Sequence, residues 1–290
     1  MVLDAKRTAP VIAAGAGKKR RRPVVSQLLL TVVTLLFLAP LIWMVLSSLK
    51  SSGEIFQTPP KLFGSSPQWR NYPDALNYLP FVRFLLNTLF VSLAGTLIVL
   101  VTSGMSAYAF ARLKFRGREQ LFLVYLGTLM VPQEVVVIPM FLLMRYFGWV
   151  NTFQALILPW AFTAFGTFLL RQFFLTVPNE LEESARIDGA GHWRILTQII
   201  APIAAPAFAV LAVFTFISYW NSFLWPLIIT NDTSTTTVSL GLNLFLGQNG
   251  QEWGLLMAAA TVSMAPTALL VLVLQRYLVA GIALSGLGGR

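Results

Sequence analysis

Apolar runs of near-membrane length alternate with short polar stretches along this 290-residue chain. Taken in order, they occupy residues 25–46, 84–110, 121–144, 153–170, 203–229 and 254–274, each near the roughly 20 residues a helix needs to cross hydrocarbon. In hydrocarbon only helices and closed barrels satisfy the backbone, and these runs are too long and continuous for barrel strands. The pattern predicts an all-α, polytopic membrane protein with six transmembrane helices. Residues 1–24 read as a basic tail and residues 25–290 as the transmembrane domain. The stretch 48–72, with Pro59-Pro60 and several glycines and serines, is expected to be an external loop rather than a helix. Ser103, Ala107 and Ala111, and again Ala259, Ser263 and Thr267, are small residues spaced four apart. Such faces suit close helix contact, within the chain or with a partner.

Apart from the N-terminus and the segment after Lys50, the longest interval without a membrane-length apolar run is 177–206, V-P-N-E-L-E-E-S-A-R-I-D-G-A-G-H-W-R-I-L-T-Q-I-I-A-P-I-A-A-P. Four of the chain's eleven acids, Glu180, Glu182, Glu183 and Asp188, fall within nine of its residues. Asn179 has the chemistry of an N-cap, with Glu182 three residues on in the capping-box position. Gly189 is a natural helix stop. The spacing predicts a short helix over 180–188, in which Glu182 and Arg186 pair across one turn. A helix this short does not hold itself together in water. Another protein is expected to hold it.

Composition agrees: 56% of residues are hydrophobic, 11% are charged, and the mean hydropathy is +0.71, against about 25% charged in a soluble domain. The net charge of +10 does not point to nucleic acid, because the basic residues cluster beside the apolar runs. Lys18-Lys19-Arg20-Arg21-Arg22 precedes the first run as in a signal peptide. That run exceeds an h-region of about 7–15 residues, so it reads as a retained helix. The tail, the loop with Arg112, Lys114, Arg116 and Arg118, the loop after the fourth helix and the C-terminus carry most of the Lys and Arg. Residues 231–253 carry none. Both termini and the acidic helix are therefore expected on the cytoplasmic side; Lys50, Lys61 and Arg70 run weakly against that orientation.

Catalytic chemistry finds little to use. With one histidine and no cysteine, neither a His/Cys metal cluster nor an H-E-x-x-H site can form. G-x-S-x-G is absent too. Gly15-Ala16-Gly17-Lys18-Lys19 lacks the first glycine of a phosphate loop and has lysine where Ser or Thr would hold magnesium. The chain is not expected to be an enzyme, to hydrolyse ATP or to bind a cofactor. His192 reads as a loop histidine near the headgroups. Gln133 and Glu134 fall mid-helix, where a carboxylate costs about 2.5–3.5 kcal/mol on insertion scales. Glu134 is either a pathway residue or a structural partner for backbone freed at the Pro132 kink. Tyr219-Trp220-Asn221-Ser222 adds aromatic, amide and hydroxyl groups to the fifth helix. Trp220 and Asn221 suit a sugar pathway; an interfacial aromatic belt is the other reading.

Glu183-Ser184-Ala185, Asp188-Gly189-Ala190, Ile199, Pro202 and Pro206 together resemble the E-A-A…G…I-x-L-P loop of bacterial ABC-importer permeases. Ser184 replaces the middle small residue, and Ala201 stands where leucine is common. S-L-K…E-I-F…P-P…W-R-N-Y, A-Y-A-F-A-R-L-K-F-R-G-R from Ala107, M-V-P-Q-E-V from Met130 and W-N-S-F-L-W-P-L from Trp220 extend the resemblance over nearly the whole chain. They look like the carbohydrate-uptake branch, in particular the second permease of maltose-type and glycerol-phosphate-type systems. The resemblance implies the type I importer permease fold in a bacterial inner membrane, with a cytoplasmic coupling loop about residues 177–202. It implies that Glu182, Glu183, Ala185, Asp188 and Gly189 couple the chain to an ATPase subunit dimer, which binds the ATP and magnesium. It further implies a second related permease and an extracytoplasmic solute-binding protein. The solute would be a sugar or a glycerol phosphate. On hydropathy alone, a self-contained ion-coupled transporter fits as well.

Overall fold

A computed structural model describes residues 24–246 and 252–287, with side chains as far as Arg276. The expected tail up to residue 23 and the chain's last residues lie outside the described part. The chain divides into two units, residues 1–43 and 44–290. Helix α1 (Val24–Ser48), of which residues 24–43 belong to the first unit, is apolar all round, and Leu28, Leu36 and Phe37 are exposed.

In the second unit every described regular element is helical. The stretch expected as an unstructured external loop holds two short helices, α2 (Ser52–Ile55) and α3 (Asn71–Tyr78). Ala75 of α3 packs into an apolar cluster with Phe81, Phe84 and Phe245, and polar side chains tie the rest of the stretch together. Lys50 is buried, and its Nζ donates to the Lys61 carbonyl at 2.6 Å. Asn71 Nδ2 donates to the carbonyls of Ser48 and Lys50. Glu54 accepts from the Ser65 amide at 2.9 Å and from the Ser51 hydroxyl at 2.8 Å. These bonds, with the one from the Ser65 side chain foremost, hold the Glu54 carboxyl well below its ordinary range, at about 2.

The long helix α4 (Phe81–Arg112) is the centre of packing. Its small-residue face does what the spacing predicts, since Ser103, Ala107 and Ala111 are all buried against the chain's own neighbours. At Gly95 the ring of Tyr219 lies so close that a Cβ would sit 2.5 Å from two of its carbons. Only glycine admits that approach. At the other end of α4, Asn87 Nδ2 donates to the carbonyls of Ser234 and Thr236, both at 2.9 Å. This secures the loop before α14 (Val238–Leu244).

Three of the expected spans are bent pairs rather than single rods. The third is α5 (Arg118–Gly127) with the 3₁₀ turn Thr128–Met130, followed by α6 (Gln133–Tyr146), bent by 98°. Residues preceding proline avoid helical torsions, and Val131, before Pro132, is extended at φ −84°, ψ 116°. The fourth is α7 (Phe153–Ile157) with the turn Leu158–Trp160, then α8 (Ala164–Thr176), bent by 47°. After the acidic helix α9 (Glu180–Ile187) come α10 (His192–Ile195), a π-turn Leu196–Ile200 and α11 (Ala201–Ile203). They meet α12 (Ala205–Trp220) at 82°. The expected helix over 203–229 stops at Asn221 and resumes as α13 (Leu224–Ile229). The last helix, α15 (Trp253–Leu287), outruns its expected end. Among the described residues three helices are long and apolar enough to span, and up to six if each bent pair is one span. Six spans were expected from the apolar runs, and that number is met only with their interruptions included.

Candidate functional site

One side chain organises the acidic helix. Arg112, the last residue of α4, donates through Nη2 to the carbonyls of Phe174 at 2.5 Å and Val177 at 2.6 Å. Its Nη1 donates to Asn179 Oδ1, and its Nε pairs with Glu182 Oε1 at 2.9 Å. Both charged side chains are nearly buried, 6% and 7% exposed. The capping box expected at Asn179 and Glu182 is therefore absent. Asn179 makes no side-chain cap, because its amide oxygen and the Glu182 carboxylate both turn to Arg112. The predicted Glu182–Arg186 pair is present at 3.6 Å as the weaker of the two.

The helix ends as Gly189 predicts, with φ +81°. The Gly189 amide donates to the Arg186 carbonyl and the Ala190 amide to the Ala185 carbonyl, the two bonds of a Schellman stop. Asp188 at this stop is exposed and Ala185 half-buried. Glu183 projects outward. Leu181 is 43% and Ile187 87% exposed, and Trp193 just beyond is 63% exposed. His192 opens α10, its Nδ1 3.0 Å from the Tyr108 hydroxyl.

A second arginine mirrors the first. Arg171 of α8 donates through Nη2 to both oxygens of Glu119 at 3.0 Å, and through Nε to the Phe110 carbonyl at 3.2 Å. Its guanidinium lies 4.1 Å over the Phe122 ring. Nothing in the local sequence pattern marks either arginine, because the partners lie 52 to 70 residues away.

A cleft of about 720 Å³ lies where the spans are interrupted. Val131 lines it at the first break, Phe162 and Thr163 at the second and Ser222 at the gap between α12 and α13. Non-helical backbone at membrane depth persists only where protein covers it or where it borders a watery cavity. Gln133 lines this cleft, as do Thr128, Trp160, Thr215, Ser218 and Tyr219. Glu134 does not. Contrary to its expected mid-helix place, it is an exposed residue in the first turn of α6.

The polar section of the fifth helix divides between two cavities. Successive helical residues turn by about 100°, and positions three and four apart share a face. Thr215, Ser218, Tyr219 and Ser222 accordingly face the cleft. Trp220 and Asn221 border a separate recess of about 340 Å³ with Ser239, Ser263 and Thr267. Trp220 is buried there, donating to the Ser263 carbonyl at 3.1 Å. The Tyr219 hydroxyl donates to the Ile157 carbonyl at 2.8 Å. Among the described residues there is no cluster of His, Asp and Glu able to hold a metal.

Broken helices around a cleft of mixed polar and apolar lining, in an all-α chain with up to six apolar spans among the described residues, are an architecture suited to a membrane permease. Residues 100–284 match the family of binding-protein-dependent transport system inner membrane components. The chain belongs to that family, and is an ABC-importer permease subunit of the carbohydrate-uptake type in a bacterial inner membrane. It is 32% identical over 276 residues to the diacetylchitobiose uptake system permease protein of Streptomyces coelicolor, covering 93% of this chain and 90% of that one. It is 35% identical over 272 residues to the sn-glycerol-3-phosphate transport system permease protein of Pectobacterium atrosepticum, covering 91% and 97%. Among solved structures it resembles a bacterial ABC transporter involved in the import of the acidic polysaccharide alginate. There the TM-score is 0.78 at 25% identity, over 88% of this chain and 95% of that one. As a permease subunit of this family the chain is non-catalytic.

Proposed function

We propose that this chain carries a neutral sugar or oligosaccharide through the cleft at the helix breaks, driven by an ATPase that grips α9. The observation that carries the reading is the lining: among the described residues it sets hydroxyl, amide and aromatic groups between apolar side chains such as Val99, Leu129 and Val136, and holds no charged side chain. Hydroxyl and amide groups match the many donors and acceptors of a sugar, and aromatic faces match its apolar ones. A phosphate would call for Arg or Lys. The N-terminus of α6 could attract an anion, but Glu134 in its first turn already places negative charge at that positive helix end. The diacetylchitobiose relative supports a carbohydrate. The glycerol-phosphate relative keeps the second substrate class in view.

In this reading residues 177–202 form the coupling loop of a single transmembrane domain. Glu183 meets a basic group on the ATPase; Leu181, Ala185 and Ile187 add apolar contact; Asp188 and Gly189 turn the chain back toward the membrane. Glu182 braces the helix from inside through Arg112. ATP and magnesium bind to the two ATPase subunits, a related permease completes the pathway, and an extracytoplasmic solute-binding protein delivers the solute. Stimulated ATP hydrolysis by the reconstituted assembly tests this. Binding protein supplied with neutral di- or oligosaccharides should raise the rate and sn-glycerol 3-phosphate should not. Stimulation by glycerol phosphate alone would reverse the substrate assignment.

A further inference from the structure

The two buried arginines form a reciprocal arrangement that the functional reading leaves unused. Arg112 extends from the end of α4 to two carbonyls at the end of α8, and from there to Asn179 and Glu182 at the start of α9. Arg171 extends from α8 to a carbonyl of α4, and from there to Glu119 at the start of α5. Each guanidinium thus clamps the neighbouring helix and also grips the carboxylate of a third element. The fork of five donors makes this possible; a lysine ammonium offers a point charge without that reach. Buried pairs of this kind add little net stability over apolar packing, yet breaking one is disruptive. Fixing relative position is a more natural use for two of them in one corner.

The elements they join are not equivalent. On one side stands α9, with its exposed Leu181, Glu183 and Ile187. On the other stands α5, which leads directly into Thr128 and Leu129 on the cleft wall and into the 98° break at Val131 and Pro132. We infer that Arg112 and Arg171 are positioning residues that make the ends of α4 and α8 a rigid block, transmitting movement of α9 to α5 and so to the cleft. The inference rests on the proposed docking of α9 and on the cleft as the pathway.

The chain has no cysteine, so a single introduced thiol is the only one in this chain, and labelling is read on this subunit after separation from the others. The test uses the assembled transporter in proteoliposomes. Thr128→Cys reports the cleft wall through its maleimide labelling rate, with and without a non-hydrolysable ATP analogue. Ile187→Cys, in a separate preparation, reports docking through cross-linking to the ATPase subunit. With both arginines intact, nucleotide should change the labelling rate by about fivefold or more, the lower range of ordinary coupling between sites. With Arg171→Gln or Arg112→Gln the change should shrink to less than about twofold while the cross-link persists. Arg171→Lys, which keeps the charge but not the fork, should also lose most of the response.

An undiminished response in the arginine variants, with cross-linking intact, overturns the linkage and leaves docking standing. No cross-link when both arginines are intact overturns the docking reading itself. If even Arg171→Lys fails to assemble with the ATPase, the arginines build the fold rather than transmit, and the inference is equally overturned.

Discussion

Replacing Gly95 by alanine should destabilise the assembly, although alanine is the better helix former. An added Cβ would lie 2.5 Å from Cε2 and Cζ of Tyr219 and 2.9 Å from Cε1. Carbon atoms in contact sit about 3.5–4.0 Å apart, so the ring would have to retreat by about 1 Å. Its retreat is opposed: Tyr219 is 7% exposed, and its hydroxyl is tied to the Ile157 carbonyl. Overpacking of this kind costs about 1–3 kcal/mol. The helix gains about 0.5–1 kcal/mol when alanine replaces glycine, leaving a net loss of about 0–2.5 kcal/mol. In a Tyr219→Ala background the obstacle is gone and only the gain remains, so the same substitution should stabilise. The assay is the heat-denaturation midpoint of the purified assembly for all four chains of the cycle, which isolates the pairwise effect. The decisive quantity is the sign. A raised midpoint for Gly95→Ala with Tyr219 present would refute the close approach of α4 and α12.

Other expectations follow from the same structure. Glu183→Lys should abolish ATP-driven uptake while leaving the chain in the membrane, because it reverses the one carboxylate α9 projects outward from its middle; normal uptake would remove Glu183 from the interface. Gly189→Val should weaken retention of the ATPase through purification more than Gly189→Asn does, since φ +81° costs a branched side chain about 1–2 kcal/mol. Equal retention by both would show that the turn tolerates a Cβ. The Glu54 carboxyl falls from 4.5 to about 2 on folding, so its contribution to loop order is complete above the unfolded value and disappears as pH falls through the folded one. Hydrogen-exchange protection of the Ser65 amide should decline across that window, and Glu54→Gln should remove the pH dependence.

The membrane runs were legible because hydropathy over twenty residues is a strong signal. Their interruptions were not, because averaging passes over a three-residue break. Pro132 hinted at the first break, but at Ala161–Thr163 and Asn221–Phe223 the sequence offers only mild polarity. Gly189 was readable since a left-handed stop is a local property of one residue. Asn179 and Glu182 misled for the opposite reason. Their capping chemistry is local and correct in isolation, but an arginine 67 residues before Asn179 competes for both. The clefts followed the same division. The stripe of Thr215, Ser218, Tyr219 and Ser222 has helical spacing and could have been found by it, whereas reading 219–222 as one cluster mixed two faces of a helix.

The central claim, that the solute passes along the cleft at the helix breaks, is most directly tested at Ser218. A single Ser218→Cys thiol in the reconstituted transporter should react with a hydrophilic maleimide during turnover and be shielded when the transported carbohydrate is in excess. A thiol that reacts at the same rate with and without the sugar, or that never reacts at all, would contradict it.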